Sequence, residues 1–137
     1  MMIFLDTNIC IFHINDSAPE MSDKLESLPA HTIKIPIMVA AELFYGAEKS
    51  RRRDANWKRY QKFLSLFTTV PFDDSAAEHY ASIRAELEKK GTPIGGNDLI
   101  IAAIVRANNG VLITNNTKEF SRVPDLRIED WTTPDNS

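Results

Sequence analysis

Hydrophobic positions along the chain alternate between the two-residue period of a strand and the 3.6-residue period of a helix. Met2-Ile3-Phe4-Leu5 is a short apolar run ended by Asp6-Thr7-Asn8, which predicts a buried strand and then a helix start. Ala18–Leu28 carries a weak helical pattern, and Thr32-Ile33-Lys34-Ile35 alternates as a strand does. Pro36 is expected at the first position of a helix running to Lys49 that buries Val39 and Leu43, with Gly46 a mild cost inside it. Asp54–Leu66 reads as a further helix, with Trp57, Tyr60, Phe63, Leu64 and Phe67 near helical spacing, and Thr68-Thr69-Val70 as a strand. Ser75 and Glu78 have the offset of a capping box and predict a long amphipathic helix that ends near Lys90, where Gly91 stops it.

From Asn97 to Val105 the chain is apolar almost all round, which predicts a buried central helix closed by Asn109-Gly110. Val111-Leu112-Ile113 is a second wholly apolar strand, ended by Thr114-Asn115-Asn116, and Arg127-Ile128 adds a last short one. Strands that are apolar on both faces and alternate with helices imply an α/β fold. Its expected form is a three-layer α/β/α sandwich around a mostly parallel central sheet. No repeat, linker or compositional break divides the chain, so one domain over 1–137 is expected.

Composition narrows the class. A chain of 137 residues that is 43% apolar and 26% charged is neither disordered nor low-complexity. No apolar run approaches the ~20 residues of a membrane span. The opening Met1–Asp6 stretch offers no basic region before its apolar run, and a lone Cys10 excludes an internal disulfide. A soluble cytoplasmic domain is the expectation, with no membrane contact. The net charge of −3 is unevenly spread. Between Lys49 and Lys62, seven basic residues and a single acid give +6, which leaves −9 for the remainder. Arg51, Arg52 and Arg53 in that stretch are candidates to meet a polyanion; a solvated helix face is the plainer explanation.

In open α/β sheets the ligand site lies beyond the carboxyl ends of the strands, which singles out Asp6 and Asn115/Asn116. Glu42 and Asp98 stand out because their neighbours are apolar, and acids are rarely buried unless paired, hydrogen-bonded or bound to a cation. Oxygen donors without a Cys cluster, and with only scattered His13, His31 and His79, suit Mg²⁺ or Mn²⁺ better than Zn²⁺. Each acid also has an ordinary explanation. Asp6 and Asp98 (or Asn97) are good helix caps, Asn116 and Glu119 have a capping-box offset, and Glu42 fits an exposed helix position. No phosphate-binding glycine loop occurs, and Asn8 stands where an aspartyl-nucleophile phosphatase would have a second Asp.

Four blocks carry a resemblance. Ile3-Phe4-Leu5-Asp6-Thr7-Asn8, Ala41-Glu42-Leu43 with Gly46-Ala47, Pro93-Ile94-Gly95 with Asp98 and Ile101-Ala102, and Leu112 through Phe120 resemble the PIN-domain ribonucleases. Within them the likeness is to VapC-type toxins of bacterial toxin–antitoxin pairs, and it extends to Val123–Trp131. The resemblance implies an Mg²⁺-dependent endoribonuclease, with Mn²⁺ as a substitute ion. Asp6 and Asp98 match the family's metal-binding aspartates, and Glu42 its acid on the second helix. Many members carry an aspartate near Asn116, where this chain has an amide and an acid at Glu119. Thr7, Asn8, Thr114 and Asn116 would orient the carboxylates directly or through water.

The implied partners are an RNA substrate such as tRNA, a cognate antitoxin and a second copy of the chain. Activation of water by the ion for attack on a phosphodiester is the implied chemistry. Two other classes compete: a catalytically inactive PIN-fold module that binds protein or RNA, and a different metal-dependent phosphotransfer enzyme. The acidic set Asp6, Glu42, Asp98 and Glu119 argues against the first, and the missing phosphate loop against the second.

Overall fold

In the computed structural model, residues 1–133 are described, so the expected 1–137 domain extends past the described residues. The strands are β1 (Ile3–Leu5), β2 (Ile33–Pro36), β3 (Thr68–Val70), β4 (Val111–Ile113) and β5 (Arg127–Glu129). The helices are α1 (Thr7–Ile14), α2 (Pro19–Glu26), α3 (Ile37–Glu48), α4 (Arg53–Leu64), α5 (Asp74–Lys89), α6 (Gly96–Ala107) and α7 (Thr117–Phe120). The strands form one five-stranded sheet in the order β3-β2-β1-β4-β5, and every neighbouring pair is parallel. Helices sandwich it as the apolar strands require, since a parallel sheet needs both faces covered. From β1 the chain runs outward to β2 and β3, then crosses back over the sheet to β4 and β5. The reversal lies between β1 and β4, and their carboxyl ends flank a crevice there.

The core is built from the residues whose pattern predicted it. Phe4 and Leu5 of β1, Leu112 and Ile113 of β4, and Ile101 to Val105 of α6 are all buried. Three local expectations change. Pro36 is the last residue of β2, extended at φ −59 and ψ 139, rather than the first residue of α3. Helix α5 is capped by Asp73, whose side chain accepts the N–H of Ala76 at 2.9 Å, so the Ser75/Glu78 box is not used. An aspartate already at the helix start satisfies the free N–H groups first. On α4 the aromatic stripe is shallower than its spacing suggests: Phe63 is buried while Trp57, Tyr60 and Leu64 are half-buried. This helix packs on α3, with the Trp57 ring 4.4 Å from that of Phe44.

The turn from α6 into β4 uses two residues differently. Asn109 takes the left-handed conformation at φ 53, which asparagine tolerates. Gly110 is there for space, because a Cβ at that position would overlap Cδ2 and Cε2 of the buried Phe4 ring. Gly110→Ala is therefore expected to destabilise the chain by about 1–3 kcal/mol, the usual cost of overpacking a core. Urea unfolding checks this, and an unchanged midpoint would mean that Phe4 has room to shift.

Candidate active site

The site is assembled by strand register. Leu5 pairs with Ile113, so the next residues, Asp6 and Thr114, come together at the carboxyl edge between β1 and β4. The Asp6 N–H bonds to the Ile113 carbonyl at 3.0 Å, and Thr114 Oγ1 donates to Asp6 Oδ2 at 2.7 Å. Asp6 also caps α1, accepting the Thr7 N–H at Oδ1 over 2.8 Å. Both of its oxygens are thus occupied in a residue that is 5% exposed. Burial pushes its carboxyl above the usual range, while the hydrogen bonds from Thr114 and Thr7 pull it back.

Thr7 links Asp6 to Glu42: its hydroxyl donates to Glu42 Oε1 at 2.6 Å, joining the start of α1 to the middle of α3. Asp98 lies in the first turn of α6, whose N-cap is Gly95 with no side-chain cap, so neither Asn97 nor Asp98 serves as that cap. Asn116, at the start of α7, makes no side-chain cap bond either. Its amide faces two acids, 3.3 Å from Glu119 Oε2 and 3.5 Å from Asp98 Oδ2. The Thr114 hydroxyl accepts the Asn116 backbone N–H at 2.9 Å and so fixes that amide relative to Asp6.

Asp6, Glu42, Asp98 and Glu119 therefore share one electrostatic environment. The half-buried carboxyl of Asp98 is pushed up to about 7, first by desolvation, then by a hydrogen bond with Glu119 and by the charges of Asp6, Glu119 and Glu42. None of these acids takes part in a salt bridge among the described residues. The donor set is all oxygen, as Mg²⁺ and Mn²⁺ require. Among the described residues no group of three or more His, Cys, Asp or Glu side chains stands close enough together to hold an ion by itself.

The other candidates are placed as follows. Asn8 is exposed and has no side-chain hydrogen bond among the described residues. Arg51 and Arg52 are exposed in the turn between α3 and α4, whereas Arg53 bonds to Glu48 at 3.0 Å and Asp54 at 2.9 Å. Arg59 reaches from α4 to Ile14 O and Asn15 Oδ1 at the end of α1, so part of the basic stretch is structural. The direct bond of Thr7 to Glu42 and the double contact of Asn116 are details that spacing did not reveal, because they join separate elements.

Comparison with known proteins gives a consistent picture. The PIN domain profile matches residues 3–126. A Rickettsia felis protein named Ribonuclease VapC2 is 42% identical over 132 residues, covering 96% of this chain and 98% of its own. A Salmonella typhimurium protein named tRNA(fMet)-specific endonuclease VapC is 39% identical over 131 residues, with 96% and 98% covered. The crystal structure of VapBC2 from Rickettsia felis bound to a DNA fragment from their promoter superposes at a TM-score of 0.90 with 42% identity, covering 96% of this chain and 99% of that one. DNA-bound VapBC from Salmonella typhimurium gives 0.90 with 38% identity, over 96% and 98%. No helix among the described residues is long and apolar enough to cross a membrane.

The raised carboxyl of Asp98 has a thermodynamic consequence. Between its ordinary value of 3.8 and about 7, the folded chain holds a proton that the unfolded chain has released. Its contribution to stability is thus fully present below 3.8 and is lost as pH rises through about 7. Thermal melting in EDTA across that window is expected to show this fall, and Asp98→Asn to remove its share of it. A variant with the same pH slope as the parent would place the titration elsewhere.

Proposed function

The chain belongs to the PIN-domain family, alongside the VapC ribonucleases, and on that footing we propose that it is an Mg²⁺-dependent endoribonuclease, the toxin of a toxin–antitoxin pair acting on an RNA such as tRNA. The observation that carries this is the gathering of Asp6, Glu42, Asp98 and Glu119 at the sheet edge, without a basic partner among the described residues. Asp6 and Asp98 would hold the ion, with Glu42 and Glu119 extending the negative surface, and Mn²⁺ substitutes because it shares the preference for oxygen. When bound, the ion offsets charge on the phosphate and makes a water a better nucleophile for attack on the phosphodiester.

The chain's own groups supply orientation. Thr114 Oγ1 and the Thr7 N–H fix the two oxygens of Asp6, and the Thr7 hydroxyl fixes Glu42. The Asn116 amide spans Asp98 and Glu119, so it orients both without adding charge. Near neutrality Asp98 retains a proton in the ion-free chain, which loading must displace, so ion affinity is expected to rise with pH. An antitoxin that offers a cation to the same carboxylates and covers the edge would silence the site. The relatives crystallised as VapBC complexes support such a partner. A homodimer completes the proposal, with Ile37 and Tyr45 of α3, 43% and 65% exposed, providing apolar surface for a contact.

Two measurements test this. The purified chain is expected to cut a total tRNA pool with Mg²⁺ or Mn²⁺ and to stop in EDTA, and Asp98→Asn to lose more than about 100-fold of that rate while remaining folded. Full activity in that variant would remove Asp98 from the mechanism, and no cleavage by a folded, metal-loaded chain would favour the inactive binding module. Replacing Arg51 and Arg52 together by Ala is expected to weaken RNA binding and flatten its salt dependence by about one unit of slope for each phosphate no longer neutralised. The same change at Arg53 should do less, because that side chain is held by Glu48 and Asp54.

A further inference from the structure

A recess of about 290 Å³ lies between α5 and the first turn of α6, lined in part by Tyr80, Arg84, Glu88, Gly96 and Leu99. Asp98 sits between Gly96 and Leu99 on that same turn. Of the two glycines at this helix start, Gly96 lines the recess while Gly95 is the N-cap of α6, and nothing packed around Gly96 demands glycine. Gly95 is extended at φ −58, and neither residue is left-handed. A Cβ at Gly96 would meet no atom within 4 Å, and one at Gly95 would make ordinary contact at 3.7 Å with Asp98 Oδ2 alone. Glycine is an ordinary N-cap but a poor helix former, so Gly96, inside the first turn with no atom against it, leaves room for something outside the chain.

The wall has a definite chemistry. Arg84 donates from Nη1 to the Tyr80 hydroxyl and from Nε to Glu88 Oε1, both at 2.9 Å, and its guanidinium lies 5.9 Å from the Tyr80 ring centre. An aromatic face, a planar cation and a carboxylate acceptor are the groups by which proteins stack an unpaired base and hydrogen-bond its edge. The volume sits at the small end for ligand pockets, which suits one heterocycle better than a longer stretch.

We propose that this recess is a base subsite: it seats the unpaired nucleobase next to the scissile phosphate. Tyr80 and Arg84 provide the stacking surface, Glu88 accepts from an amino or ring N–H, and the open position at Gly96 lets the sugar–phosphate backbone cross to Asp98. The proposal rests on the ribonuclease function above and adds to it the element that selects sequence.

Amide NMR of the whole chain tests it, with titration by each of the four nucleoside 5′-monophosphates and by ribose 5-phosphate as the base-free control. The expected result is shifts at Leu87, Gly96 and Leu99 with at least one nucleotide and none with ribose 5-phosphate, reduced in Glu88→Gln. Silence at those amides, or equal shifts with ribose 5-phosphate, overturns the subsite. In cleavage assays Gly96→Leu is expected to raise KM for the tRNA pool roughly tenfold, in line with loss of one stacked base, without lowering the melting temperature. An unchanged KM in that folded variant also overturns it. A parent chain that cuts no RNA defeats the ribonuclease function whatever the titration gives. A chain that cuts RNA but shows no base-dependent shift defeats the subsite alone.

Discussion

The pairing of β1 with β4 is the constraint on which the rest of the molecule depends. It brings Asp6 against Thr114, and the hydroxyl of Thr114 both donates to the buried carboxylate and accepts the Asn116 N–H that starts the turn toward α7. A carboxylate this buried is tolerable when its oxygens are occupied, and here the second is taken by the N–H that opens α1. That cap fixes Thr7, whose hydroxyl then fixes Glu42 on α3. One strand register thus orients groups on β1, β4, α1, α3 and α7 through a chain of short bonds.

The same arrangement leaves an electrostatic imbalance in the native state. The ion pairs of the described residues lie elsewhere, on the α3–α4 corner and along α5, while the sheet edge collects acids whose charges act on one another. Asp98 answers by holding its proton to about neutral pH. A structure selected for stability alone would have placed a lysine or arginine in that crevice. No lysine or arginine pairs with these acids among the described residues, so their mutual repulsion stays uncompensated within the native chain.

Glycine marks two different needs in this chain. Gly110 is fixed from within, since the Phe4 ring fills the space a side chain would take. Gly96 meets no such obstacle and lines the recess of Tyr80 and Arg84. The first belongs to the packing of the core, and the second, on the proposal above, to a base approaching α6 from solvent.

Much of this was legible in the residues. Buried parallel strands announce themselves by being apolar on both faces, so Ile3–Leu5, Val111–Ile113 and the all-round apolar α6 were plain. Local competition was harder to read: Asp73 displaced Ser75 as the cap of α5, and Pro36 stayed in β2 because its backbone is extended. The pairing of Asn116 with Glu119 had the spacing of a capping box, yet the amide turns to the acids instead of the helix. The sequence by itself determined the alternation of elements and the presence of acids set among apolar neighbours, because periodicity and residue chemistry are local properties. Tertiary structure alone decided which acids meet, what protonation they adopt and where the recess opens. Those follow from contacts between residues as far apart as Asp6 and Thr114, 108 positions along the chain, and from the desolvation that arises when the sheet closes around them.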